Sequence, residues 1–489
     1  MKINKKVSLL IVFSVIAALF SGCGNKGDNE IAELTWYMMK PIENMKSQPL
    51  VEDEVNKILR EKVGAEINFK FVDSGSWEEK INLVITSGEK YDITKVNTTG
   101  SSSVMTNSRR SAYIDLSELL EKYGSSIKAK TDPRAWEACK IDGKLLHIPS
   151  QGKYVSDISY VFKKDLVDKY GFDYKSVKCF EDLEPYLETI KQNEPNVIPL
   201  CITANADIPS PIYEDYTATI VSSILFDEKA DKYVDAIDVM EDIYRTRYNF
   251  YKKGYIAQDA FTKQDNTEGK TGKYAVLKNT GAYTEDGSKS TAFYGFPCVE
   301  VLVGKSLIGT ESFMEGNAIS ITSKNPEKAM QVLNAIWEDP YISNTLAYGI
   351  KDIDYKIVKD GNDAEKSVLP NSGSEQQWAL WHNWIGPLFD QWDSTWNSEE
   401  ALNEMQEANK NGQASKSIGF LMNVSDFDAE IAAISEIDAA SKVVLQVGNM
   451  EDFDTYYQDL REKHKKAGMD KVLEAVNKQY SDWKSNRGK

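Results

Sequence analysis

The residues best suited to chemistry gather between Gln377 and Trp396. Trp378, Trp381, Trp384, Trp392 and Trp396 are five of the ten tryptophans in the chain, and His382, Asn383, Asp390, Gln391 and Asp393 lie among them. Indole faces stack on flat apolar ring surfaces, while amides, carboxylates and indole N–H groups bond hydroxyls. The mixture therefore suits a polyhydroxylated ligand such as a sugar. Large aromatic residues also fill cores, and Trp378, Trp381 and Trp392 could share a buried face. Trp381 and Trp384 are the two expected to face a ligand. Catalytic signals are weak by comparison. His147, His382 and His464 stand far apart, and HExxH, Walker A and GxSxG patterns are absent. Gly22 to Gly27 spells GxGxxG but neither follows a strand nor opens a helix. Carboxylates are plentiful, yet no spacing marks a glycosidase pair. Cys139, Cys179, Cys201 and Cys298 show no CxxC and read as free thiols, mostly buried. No catalytic residue, metal site or cofactor is expected.

The beginning of the chain restricts where such a site can work. Lys2, Lys5 and Lys6 precede an apolar run, Val7 to Phe20, which has the length of a signal-peptide core rather than a membrane span. Leu19-Phe20-Ser21-Gly22-Cys23 then resembles a bacterial lipobox, with Phe20 where leucine is usual. That resemblance implies cleavage before Cys23, lipid on Cys23, and anchoring at the cell membrane on the extracytoplasmic face. Loss of the three lysines takes the formal charge from −17 to −20, which disfavours nucleic acid as a partner. With 489 residues the chain is long enough for a large two-lobed body.

Elements that could position the site follow in order. Glu33 to Met39 predicts a strand; Val51, Val55, Ile58, Leu59 and Val63 predict a helix ended by Gly64; Ile67, Phe69 and Phe71 predict a second strand. Ser76-Trp77-Glu78-Glu79 has the form of a capping box before a helix, with Trp77 as a packing residue. Tyr91 to Val96 predicts a third strand. Alternating strands and helices point to a parallel, doubly wound α/β sheet, whose ligands bind beyond the carboxyl ends of the strands. Those ends nominate Trp36, Asp73, Ser74 and Asn97. The Gly-, Thr- and Ser-rich stretch 262–291 predicts a mobile loop insertion, and Asp360-Gly361-Asn362-Asp363 a solvated turn. Val472, Leu473, Val476, Tyr480 and Trp483 form one stripe of a terminal helix.

Several runs resemble the extracellular solute-binding proteins of bacterial ABC importers, of the family 1 type and its LipO-like lipoprotein subgroup. They are Ile141 to Gly152, Tyr160 to Phe172, Glu181 to Pro185, Pro195 to Leu200, Gly316 to Met330, Tyr348-Gly349-Ile350, and Ser417 to Trp483. The resemblance spans nearly the whole mature chain. It departs at Lys351 to Tyr355, where the subgroup has a Glu-Gly turn, and at Lys163, where the family has Asn.

The resemblance implies a periplasmic-binding-protein-like fold of two lobes, each a doubly wound sheet flanked by helices, with a helical C-terminal extension. The implied division is signal peptide 1–22, lipidated tether 23–32, lobe 1 over 33–150, and lobe 2 over 151–313. Lobe 1 then resumes over 314–350, and 351–489 completes lobe 2 with the helical region. Crossings fall at 148–153, 313–317 and 348–355. This makes Tyr154 and Glu315 crossing residues that could touch ligand, alongside Trp36, Asp73, Ser74, Asn97, Trp381 and Trp384. The expected protein is a monomer that binds an oligosaccharide and passes it to ABC permease subunits without catalysis. A peptide ligand, a surface carbohydrate-active enzyme and an adhesin are the alternatives.

Overall fold

The structure is a computed structural model, and it describes residues 31–100, 102–204, 214–264, 268–278, 283–359, 367–394 and 397–486. The signal segment, Cys23, the Asp360 to Asp363 turn and Trp396 lie outside the described residues. Strand β1 (Ala32–Met39) is followed by α1 (Gln48–Val63), β2 (Ala65–Val72), α2 (Trp77–Ser87) and β3 (Ile93–Val96). Period-two alternation turns Leu34, Trp36 and Met38 of β1 to one face, where they join Val51, Val55 and Leu59 of α1 in the main core. Tyr37 points the other way, into a cluster with Trp77, Ile81 and Val84 of α2. Gly64 ends α1 in the left-handed conformation, φ 65°, which costs a glycine little. The capping box does not form. A 3-10 turn, Ser74–Ser76, precedes α2, so the Ser76 hydroxyl donates to the Asp73 carbonyl at 3.3 Å instead.

The chain continues to β4 (Ile148–Pro149), crosses over, and builds β5 (Asp157–Lys163), β6 (Ile198–Leu200), β7 (Tyr274–Leu277) and β8 (Cys298–Lys305). It returns in β9 (Gly316–Ile319), then forms α3 (Pro326–Glu338), α4 (Pro340–Tyr348), α5 (His382–Ile385) and α6 (Glu399–Asn411). It ends in α7 (Asp428–Val447), α8 (Phe453–Ala467) and α9 (Met469–Asn486). Lobe 1 has the strand order β2-β1-β3-β9-β4. β1 is parallel to β2 and β3, as the alternating pattern predicts, but β9 is antiparallel to both neighbours. The reason is topological. β4 leaves the sheet at the edge where β3 ends, and β9 enters at that same edge after visiting the other lobe.

Lobe 2 has the order β8-β5-β7-β6, with β5 antiparallel to both neighbours and β7 parallel to β6. The stretch 262–291 is therefore not all loop, because it contributes the interior strand β7. All four residues of β7 are buried, so it lacks the alternation that marks a half-exposed strand.

The division of the chain also needs correction. Trp378, Leu380 and Ile385 pack into the lobe 1 core, and Tyr355, Val368 and Trp392 cover Ala347 and Tyr348 at the end of α4. Residues 351–394 thus extend lobe 1, because the apolar end of α4 needs that cover. The third connection lies at 412–416 rather than 348–355. There Ile308 N donates to Gln413 O at 2.9 Å, and Ser415 N donates to Ile308 O at 2.9 Å. Beyond it, Phe420, Met422 and α9 pack against the three-stranded meander within 216–235, and α7 and α8 pack beside Ile237. Among the described residues, no helix is long and apolar enough to cross a membrane.

One buried ionic cluster ties these helices to lobe 2. His464, 1% exposed, places Nδ1 3.0 Å from Asp235 and Nε2 3.1 Å from Asp438. Burial alone would lower the imidazole pKa, but the two carboxylates outweigh it and hold it up at about 9. A raised histidine pKa stabilises the fold fully below the unfolded value of about 6.5, and that contribution disappears as pH rises through about 9. Burial raises the Asp235 pKa, which offsets part of the gain. Thermal melts are therefore expected to lose about 2 kcal/mol of stability between pH 6.5 and 9.5, and His464→Gln is expected to remove that slope. Parallel pH profiles for the two proteins would show that the cluster contributes no pH-dependent stability.

Candidate functional site

The ends of β1, β2 and β3 and the start of β9 lie on one edge of the lobe 1 sheet, the edge from which both β4 and β9 connect to lobe 2. Segment 381–390 runs along this edge. The Trp384 carbonyl accepts from Asn317 Nδ2 at 2.8 Å, and the Gly386 carbonyl accepts from Gln151 N at 2.9 Å. Phe389 N donates to Gln151 Oε1 at 2.9 Å, and Lys130 Nζ is 2.7 Å from Asp390. Trp381 is 39% exposed and Trp384 is half-buried, while Trp378 and Trp392 are each 2% exposed and belong to the core.

The nominated residues other than Trp381 fall into four places. Asn97, Glu315 and Trp384 come together around Lys95, which the sequence reading did not nominate. Lys95 is 2% exposed. Its ammonium bonds Asn97 Oδ1 and lies 5.2 Å from the centre of the Trp384 ring. Burial lowers its pKa, and the nearby carboxylates Glu315 and Glu78 push back against that. Glu78 accepts from Ser102 Oγ at 2.7 Å and from Ser102 N at 3.1 Å, and Asn97 Nδ2 donates to Ser102 Oγ at 2.9 Å. A signal for Lys95 existed. It is the one charged residue in the strand Ile93-Thr94-Lys95-Val96 and is buried with the rest of it; a lysine in such a place needs partners.

Asp73 and Ser74 are exposed, and Asp73 pairs with Lys40 at 3.0 Å. Trp36 is wholly buried, because β1 runs on to Met39 and the alternation turns the indole into the core against Phe69. It presents no surface to a ligand. Its Nε1 instead donates to Asn317 Oδ1 at 3.2 Å, so Asn317 links Trp36 to the backbone of Trp384.

Tyr154 is 8% exposed and belongs to the first connection. Its ring centre is 4.6 Å from that of Phe313, and its N–H donates to Asn409 Oδ1 at 2.8 Å. With Gln151, Arg134, Phe389 and Asn409 it lines a cavity of about 670 Å³ where α6 meets lobe 1. A larger concavity, about 950 Å³, lies away from these groups in lobe 2, between Phe172, Glu184 and Tyr255. His147 and His382 are core residues, their pKa values lowered by burial to about 4 and about 3. An exposed and a half-exposed indole beside an amide, a carboxylate and a caged ammonium can stack on a ring and bond hydroxyls.

Comparison with known proteins agrees with this architecture. The sequence is 26% identical over 492 residues to a carbohydrate ABC transporter substrate-binding protein of Streptococcus pneumoniae serotype 4 (strain ATCC BAA-334 / TIGR4), covering 96% of each chain. The N-glycan transport solute binding protein NgtS of Streptococcus pneumoniae superposes with a TM-score of 0.76 at 23% identity, over 93% of this chain and 100% of that one. Its complex with Man5GlcNAc gives a TM-score of 0.62 at 23% identity, over 94% and 100%. An extracellular solute-binding protein of Bifidobacterium longum subsp. infantis gives 0.63 at 17% identity, over 92% and 98%. A profile for a domain of unknown function, DUF3502, matches residues 416–485. The two-lobed fold of solute-binding proteins is thereby established for this chain.

Proposed function

We propose that this chain is an extracellular solute-binding protein of the ABC-importer type, acting without catalysis, that captures an oligosaccharide at the lobe 1 edge and hands it to permease subunits. The observation that carries this reading is the pairing of accessible Trp381 and Trp384 with Asn97 and Glu315 on the edge that faces the connections to lobe 2. The glycan-binding relatives add support. Ligand would stack on the indoles, with the amide and carboxylate bonding its hydroxyls. Lobe closure about 150–156, 306–315 and 412–416 would then present the occupied form to the permease. Lipid on Cys23 would hold the monomer at the extracytoplasmic face of the membrane, where more than one acyl chain gives a stable anchor.

Thermal unfolding of the mature chain from Gly24 onward tests this reading. The panel is a high-mannose glycan, a fructo-oligosaccharide, an alginate oligosaccharide and short peptides. One glycan class is expected to raise the transition, with about 2.7 kcal/mol of stabilisation at a hundred times Kd, and without release of new reducing ends. A shift with peptides alone overturns the sugar reading. New reducing ends would favour the enzyme alternative.

A further inference from the structure

We propose that Lys95 is a positioning residue for the Trp384 indole, a pillar behind the stacking surface rather than a ligand contact. This rests on the reading of Trp384 as a stacking surface. Lys95 lies on β3, one residue from its end, paired in register with Asn317 of β9. Its side chain is too buried to meet a solute directly, and its ammonium is spent on Asn97 and on the face of the Trp384 ring. A buried ammonium is costly unless it is bonded and balanced by opposite charge. Both conditions are met here. Asn97 accepts the hydrogen bond, and the carboxylates of Glu78 and Glu315 stabilise the charge.

The arrangement runs through successive contacts back to a rigid element. Glu78 stands in the first turn of α2 and grips both the N–H and the hydroxyl of Ser102. Ser102 accepts from Asn97, and Asn97 accepts from Lys95. Gly100 completes the cage: at φ 82° it passes so close to Glu78 that a Cβ there would meet the carboxylate at 2.6 Å. The indole is thus held from two directions. Asn317, itself bonded to buried Trp36, fixes the Trp384 backbone, and Lys95 covers one face of the ring. The part of the ring that packs on neither Lys95 nor the lobe 1 core is left to a ligand. A ring locked before binding loses less freedom when ligand arrives, which strengthens affinity without adding a contact. A cation over a desolvated indole is strong enough for that role. A lysine kept only to fill space would not need an aromatic face and an amide on its ammonium, within the field of two carboxylates.

The test has a ligand-free arm and a binding arm. In the first, the chain is labelled with 5-fluorotryptophan and examined by ¹⁹F NMR, the Trp384 line being the one lost in Trp384→Phe. Lys95→Met, which keeps the stem and removes the charge, is expected to shift or broaden the Trp384 line and to leave the Trp337 line in the core unmoved. Lys95→Arg is expected to restore a sharp line. A Trp384 line unchanged in Lys95→Met overturns the proposal, whether or not a ligand is known. In the second arm, affinity for the high-mannose glycan is measured for Lys95→Met, Trp384→Ala and the double variant. Lys95→Met is expected to weaken binding roughly tenfold alone and to have little further effect once Trp384 is gone. Equal losses in both backgrounds overturn the coupling. If Trp384→Ala leaves affinity intact, the stacking reading fails, and the NMR arm still decides whether Lys95 positions the ring.

Discussion

Trp384→Ala is expected to weaken glycan binding about thirtyfold in Kd, a loss of about 2 kcal/mol. The indole is half-buried on the one-turn helix α5, so part of it remains for a ligand. Its neighbour Ile385 is fully buried and anchors the turn in the core, so truncation at 384 should leave the fold in place. Trp381→Ala, at the start of the same turn, is expected to cost less, about fivefold, because a residue 39% exposed is less pre-organised. Isothermal titration of the two variants checks both. Unchanged affinity in both, with the thermal transition preserved, would remove these indoles from the site.

Gly316→Ala is expected to destabilise the protein by about 3 kcal/mol. Gly316 pairs with Pro149 across the β9–β4 ladder, and a Cβ at 316 would lie 2.0 Å from the Ile148 carbonyl oxygen and 3.0 Å from the Pro149 Cα. Both obstacles are backbone, so neither can swing aside; the strands must separate. They are the strands that lead into the first connection and out of the second, so damage here reaches the hinge as well as the sheet. Chemical denaturation is the measurement. Gly75→Ala is the control, since nothing lies within 4 Å of its Cβ position, and it should fall within about 0.5 kcal/mol of the parent. Equal stability of Gly316→Ala and Gly75→Ala would contradict the tight ladder.

Local pattern carried much of the architecture. The alternation of Ile67, Phe69 and Phe71 and the helical spacing of Val51, Val55 and Leu59 anticipate β2 and α1 directly, because each has one buried face and one exposed face. The same rule that found β1 misled at Trp36: its place near the strand end suggested a ligand-facing indole, whereas three further residues pair with β2 and the alternation turns the indole into the core. β7 escaped notice because it is buried on both faces, leaving no periodicity to read.

The candidate site divides in the same way. Residue types alone determined that this chain has an aromatic, hydroxyl-bonding stretch at 377–396, lacks the familiar catalytic spacings, and orders its first three strands as a parallel sheet. Those properties depend on neighbours within a few residues. Which tryptophans face outward, and which polar groups join them, only the tertiary structure decided. Trp378 differs from Trp381 by bonding the Leu346 carbonyl at 2.7 Å and meeting Phe71 edge-on, contacts made 32 residues away or more. Lys95, Glu78 and Trp384 are gathered because β3 ends, α2 begins and α5 lies at one edge of one sheet. Sequence spacing cannot encode that meeting, since it depends on β9 returning antiparallel from the second lobe and bringing Glu315 and Asn317 with it.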